Sequence, residues 1–203
     1  MNGNIESINA LTSDMVLGYF ESFKGNFYLK LGVLLWFEGG AIEQHKALSE
    51  NATLIATEFG DEVAGKMLAS IRPEVVENLK EDACTSLVLS AWSVFEQIIK
   101  DLTVPDYATQ PNLLQADYHR NSLGFSASER AEIDLFYNLR NAIAHYNGAY
   151  HAYKTVNASY GGRTFVSTGH LGEKIEVSPK LAMAIADDLE KYAMQAWTRA
   201  GRP

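Results

Sequence analysis

PEVVENLKEDACTSLVLSAWSVFEQIIKDL, residues 73–102, is the stretch that decides the fold. Val76, Leu79, Ala83, Leu87, Val88, Trp92, Phe95, Ile99 and Leu102 recur at steps of three and four, the spacing that puts apolar side chains on one face of an α-helix. Pro73 suits a first helical position, where its missing N–H costs nothing. A segment this long and this periodic predicts a central core helix, and other helices are needed to cover its stripe.

Working outward, residues 13–51 read as an early helical region, with Gly39-Gly40 as a kink or break and the two halves forming a hairpin or a bent rod. A short helix is expected over Asp61 to Ile71. Pro105 and Pro111 bracket a loop that reaches about Gly124 and carries Asp117, Tyr118, His119 and Arg120. Ser126-Ala127-Ser128-Glu129 has the form of a capping box, so a helix should start near Ala127, direct Ile133, Phe136, Leu139 and Ile143 to the core, and stop near Asn147-Gly148. Arg163 to Thr168 and Lys174 to Ser178 are compatible with strands and read as a small hairpin. Ser178-Pro179 opens a last helix with Leu181, Ile185, Leu189, Tyr192, Ala196 and Trp197 in one stripe. The expected fold is all-α: an antiparallel helical bundle of about five or six helices in one domain, residues 1–203, with one small β-hairpin near residues 163–178.

The 203 residues, 47% hydrophobic, are enough to bury one substantial core. Cys84 is the only cysteine and can form no internal disulfide, and the first residues lack the basic and apolar regions of a signal peptide. The apolar run from Leu31 to Phe37 is far short of the roughly 20 residues that a membrane span needs. We expect a soluble, cytoplasmic protein with no membrane association.

A net charge of −8 argues against nonspecific attraction to phosphate backbones, so any nucleic-acid contact has to be local. One window suits it: Leu135 to Gly172 contains no Asp or Glu but holds Arg140, Lys154, Arg163, His145, His151 and His170. It also holds Tyr137, Tyr146, Tyr150, Tyr153 and Tyr160, rings that either stack on unpaired bases or pack the helix end.

Within that window Arg140-Asn141-Ala142-Ile143-Ala144-His145 places a fixed cation, an amide and a titratable imidazole near a helix end. RNA can be cleaved without metal when its 2′-hydroxyl attacks the adjacent phosphorus, which requires a base, an acid and positive charge for the phosphorane. His145 suits the proton transfer and Arg140 the charge; Asn141 is expected to hold a phosphate oxygen or the imidazole. On an ideal helix Asn141 and His145 share a face, whereas Arg140 and His145 diverge by about 140°. Arg140 falls on the apolar side, between Phe136 and Ile143, and there needs a partner. Glu96, in the apolar stripe of the central helix, is the candidate, and the pair either supports the site or simply locks two helices together. Tyr146 is a second supporting residue, and Tyr150, Lys154 and Arg163 are candidate substrate contacts.

Arg140-Asn141-x-x-x-His145 followed by Asn147-Gly148 resembles the motif of the HEPN superfamily, small helical proteins that include metal-independent endoribonuclease toxins and phage-defence effectors. The resemblance implies an endoribonuclease of a toxin–antitoxin or phage-defence system, with RNA as substrate, a composite site between the two copies of a homodimer, and an antitoxin or regulatory protein as a further partner. It equally covers members that bind RNA or nucleotides, or only dimerise, without cutting. The chain departs from the Arg-x4-His-x-Tyr pattern of the toxin branch paired with a nucleotidyltransferase antitoxin, because Tyr146 directly follows His145 and Asn147 stands where the tyrosine would be.

No cofactor or metal is expected: Asp117-x-His119 is a weak ligand pattern, and no His-Glu-x-x-His or paired-cysteine spacing occurs. Gly161-Gly162-Arg163-Thr164 lacks the spacing and lysine of a phosphate-binding loop and reads as a turn into a strand.

Overall fold

The structure, a computed structural model, describes residues 12–39, 56–58, 60–62, 65–66, 73–103, 115–151 and 156–201. Its long helices are α1 (Ser13–Gly39), α2 (Pro73–Thr103), α4 (Ala127–His145) and α5 (Pro179–Arg199), with a short α3 (Gln115–Tyr118) and a 3-10 turn (Asn121–Leu123) before α4. α1 ends at Gly39, where the sequence places its break; the expected continuation to residue 51 and most of the expected helix over 61–71 lie outside the described residues.

α2 is the central element and packs against α1, α4 and α5. Val76, Ala83, Leu87, Val88, Trp92, Phe95 and Ile99 are buried, as the stripe predicts, whereas Leu79 is 47% exposed near the start of the helix. Each fully buried large side chain contributes roughly 1.5–3 kcal/mol. Leu29 and Leu34 of α1 face the Leu79–Ser86 end of α2, while Phe23 and Asn26 face Leu87 and Ser90, so the two helices run antiparallel. Lys24 ties α1 to α5 through Asp187 and Glu190. Burial acts to lower its ammonium pKa, but the hydrogen bonds to Asp187 and Glu190 outweigh that and hold it above the usual value.

α4 and α5 are also antiparallel. The Tyr192 hydroxyl donates to Glu132, and Phe136 meets Tyr160 edge-on at 4.8 Å between centroids while the Tyr160 hydroxyl donates to Asp188. Burial, then the neighbouring carboxylate, raises both phenols well above their usual value, so they remain neutral donors.

The capping box at the start of α4 is complete: Ser126 Oγ accepts from the Glu129 N–H at 3.2 Å and Glu129 Oε2 accepts from the Ser126 N–H at 2.7 Å. Ser178 likewise caps α5 by accepting from the Leu181 N–H, with Pro179 at the first helical position.

The hairpin lies earlier in the chain than expected. β1 (Asn157–Tyr160) pairs antiparallel with β2 (Arg163–Val166), in register from Asn157 opposite Val166 to Tyr160 opposite Arg163. Gly161 and Gly162, at φ +59° and +76°, form the two-residue turn with two positive φ values that matches strand twist. Arg163 therefore starts a strand as expected, but its partner precedes it. The segment 174–178 is not a hairpin strand; Lys174 makes only an isolated bridge to Ala149. Phe165 is fully buried, which anchors the hairpin on the helical core.

Candidate functional site

Arg140, Asn141 and His145 meet at the C-terminal turn of α4. Arg140 Nη1 donates to Asn141 Oδ1 at 2.9 Å and lies 3.3 Å from His145 Nε2. The long guanidinium arm closes the angular gap that an ideal helix leaves between positions 140 and 145. A guanidinium can only donate, so a hydrogen bond at this contact would use a lone pair on Nε2. Arg140 and Asn141 are half-buried and His145 is exposed, so the cluster opens to solvent on its His145 side.

The helix ends by turning sharply. The N–H groups of Tyr146 and Gly148 both donate to the Ala142 carbonyl, at 3.0 and 2.9 Å, while Asn147 and Gly148 adopt φ of +52° and +75°. The segment that follows is tied to residues 172–175: Tyr150 N–H donates to Glu173 O, Gly172 N–H to Tyr150 O, and Ile175 N–H to Gly148 O, at 3.0, 2.8 and 2.7 Å. Lys174 in turn pairs with Glu81 of α2 at 2.6 Å. The chain after the motif is thus held against the bundle. It returns over the helix end, where His151 stacks on Tyr146 with ring centroids 3.8 Å apart and planes 16° apart. Tyr146 is 37% exposed and meets His145 edge-on at 6.5 Å.

Glu96 does not pair with Arg140. Its Oε1 lies 2.9 Å from Lys100 Nζ, one turn along α2, and Lys100 is 99% buried. The buried cation that makes a carboxylate tolerable in this stripe comes from the same helix, and Arg140 turns to Asn141 and His145 instead. Of the candidate substrate contacts, Tyr150 is half-buried behind the motif, and burial raises its phenol above the usual value despite nearby Arg163 and a hydrogen bond with the Val166 backbone. Arg163 donates to the Glu176 carbonyl at 2.6 Å, lies 3.7 Å from the Glu176 carboxylate and stands 5.5 Å from the Phe165 ring centre, engaged in holding the hairpin. Lys154 and Tyr153 lie outside the described residues. Tyr137 packs on Trp92 and Tyr118, and Tyr160 bonds Asp188, which leaves Tyr146, among the described residues, as the exposed ring at the motif.

A second polar cluster, not expected from the sequence as a unit, joins the loop before α4 to that helix. Asp134 Oδ1 accepts from the Tyr118 hydroxyl at 2.9 Å and lies 3.0 Å from His119 Nε2, while Arg120 binds buried Asp117 and the Thr103 carbonyl. Tyr118 is buried and its phenol held far above the usual value by that burial and by Asp134. These contacts fasten the loop. Cys84 is buried and its thiol is pushed up to about 11, so it is no nucleophile.

The grooves along α1 and α2 are lined by none of the motif residues. Among the described residues no helix is long and apolar enough to cross a membrane, and no three His, Cys, Asp or Glu side chains gather as a metal-binding group. Comparison with protein-family models, with curated proteins and with solved structures finds no match to this chain.

Proposed function

We propose that this protein is a metal-independent endoribonuclease of the toxin or phage-defence type, acting in the cytoplasm on RNA at the C-terminal end of α4. The observation that carries the reading is the single Arg140 nitrogen that contacts both Asn141 and His145 on an open surface. His145 Nε2, presenting a lone pair, takes the proton of a ribose 2′-hydroxyl; the 2′-oxygen attacks the adjacent phosphorus; Arg140, released from the imidazole, neutralises the phosphorane oxygens. Asn141, which holds the guanidinium from the other side, is a positioning residue for Arg140. The sequence from Leu135 to Gly172 carries no Asp or Glu, which limits local repulsion of approaching phosphates, although Glu173 is folded back beside Tyr150. A homodimer that turns two such helix ends toward each other is part of the proposal, as is an antitoxin or regulatory protein that restrains the activity.

The test is incubation of wild-type and His145→Ala protein with total RNA and a transfer-RNA pool in excess EDTA, followed by sequencing that reports end chemistry. Wild type is expected to leave 2′,3′-cyclic phosphate and 5′-hydroxyl ends, and His145→Ala none. Cleavage that survives in the variant overturns the assignment of His145. RNA binding that depends on Arg140 without cut ends overturns the ribonuclease reading in favour of a non-catalytic binding module.

A further inference from the structure

Cleavage by 2′-hydroxyl attack needs two proton transfers, one from the nucleophile and one to the leaving 5′-oxygen, and His145 supplies only the first. We propose that His151 of the same chain is the catalytic acid, so that each helix end of the proposed homodimer carries its own base and acid; this inference rests on the ribonuclease reading.

The placement of His151 follows from the backbone around it. The left-handed residues Asn147 and Gly148 reverse the chain after α4, and hydrogen bonds tie residues 148–150 to residues 172–175. His151 comes next and lies flat on Tyr146, at 3.8 Å, while His145 meets the edge of the same ring at 6.5 Å. Together the two centroid distances bound the imidazole separation at about 10 Å. A base and an acid flanking one phosphorus, each about 2.8 Å from its oxygen, fit within such a span. The two histidines also differ in their neighbours: Arg140 Nη1 stands 3.3 Å from His145 Nε2, and His151 lies on the Tyr146 ring.

In the balanced step, His145 Nε2 takes the 2′-hydroxyl proton as the new bond from the 2′-oxygen to phosphorus forms. Protonated His151 gives its proton to the 5′-oxygen as the bond from phosphorus to that oxygen breaks. The products are a 2′,3′-cyclic phosphate, a 5′-hydroxyl, imidazolium His145 and neutral His151, and proton exchange with water resets both.

The test uses the full-length protein and two synthetic RNAs built around the strongest cut site in total RNA, one all-oxygen and one with sulfur replacing the bridging 5′-oxygen. A thiolate leaves without an acid. His151→Ala, and His151→Phe, which keeps a stacking ring but has no proton to give, should cut the oxygen RNA at least about 100-fold more slowly than wild type and the sulfur RNA within about threefold of it. His145→Ala should be slow on both. Full activity of His151→Phe on the oxygen RNA overturns the proposal and leaves the ribonuclease reading intact. A defect in both His151 variants that sulfur does not relieve also overturns it, because the residue would then act before bond cleavage. Mixing His145→Ala with His151→Ala protein should restore nothing; recovered activity would place the two histidines of one site on different chains and overturn the single-chain pairing. Failure of wild type to cut any RNA brings down the ribonuclease reading, and this inference with it.

Discussion

Arg140 Nη1 lies 3.3 Å from His145 Nε2 although the two residues leave the α4 axis in directions about 140° apart. The contact exists because a guanidinium on a long flexible stem can lie along the helix surface and reach the last turn, with Asn141 Oδ1 at 2.9 Å fixing the same nitrogen. The site therefore depends on the reach and shape of one side chain as much as on its charge.

Arg140→Lys keeps the charge and loses the planar arm. We expect cleavage to fall about 10- to 100-fold, and Arg140→Ala to fall about 100- to 1,000-fold, the range for removing a donor that stabilises developing charge. Initial rates on a mapped RNA substrate, with thermal melts beside them, check this. Equal rates for Lys and wild type would show that geometry is irrelevant.

Glu96→Ala removes a carboxylate 2.9 Å from the buried ammonium of Lys100. Removing one partner of a buried ion pair is destabilising, so denaturant unfolding should show a loss of stability. The rate per folded molecule at 10 °C should stay within about twofold of wild type, since Glu96 does not touch Arg140. A catalytic loss beyond unfolding would return Glu96 to the site.

Gly148→Ala places a side chain at φ +75°, with Lys174 Cγ 4.0 Å away as ordinary contact, so backbone strain is the whole cost. About 1–2 kcal/mol is expected by chemical denaturation. Because Gly148 sets the return of the chain over Tyr146, the variant should also slow cleavage. Unchanged stability would mean that the turn relaxes freely.

The Glu129 carboxyl is held below its usual range, first by the hydrogen bond from the Ser126 backbone. A depressed folded value means that its stabilisation is present above the unfolded value of about 4.3 and is lost as pH falls through the folded one. Glu129→Gln and Ser126→Ala should each cost up to about 1 kcal/mol at pH 7. The Glu129→Gln difference should fade in melts taken progressively below about pH 4.5, while that of Ser126→Ala should persist in part. A Glu129→Gln difference independent of pH would exclude the charge as its source.

Periodicity and caps are local, and for that reason the helices were legible in the amino-acid sequence. The stripe from Val76 to Ile99, the Ser126–Glu129 box, Ser178-Pro179 and the stop after His145 each depend on residues within a turn or two of one another, and the bundle of mostly helical elements follows from them. The hairpin was half legible: β2 was expected from Arg163, but pairing is a choice between neighbours, and two glycines able to hold positive φ drew the strand partner from the N-terminal side. The motif residues were legible as types, and Arg140, Asn141 and His145 stood out through the resemblance of their pattern to a known motif. Which group Arg140 would meet was not, because a long side chain chooses among partners on several elements, and Lys100 had already taken Glu96. Nor could the sequence place His151 on Tyr146, since that contact requires the turn at Asn147-Gly148 and hydrogen bonds to residues more than 20 positions away. Local chemistry determined the elements; the paths of the chain between them decided which side chains met.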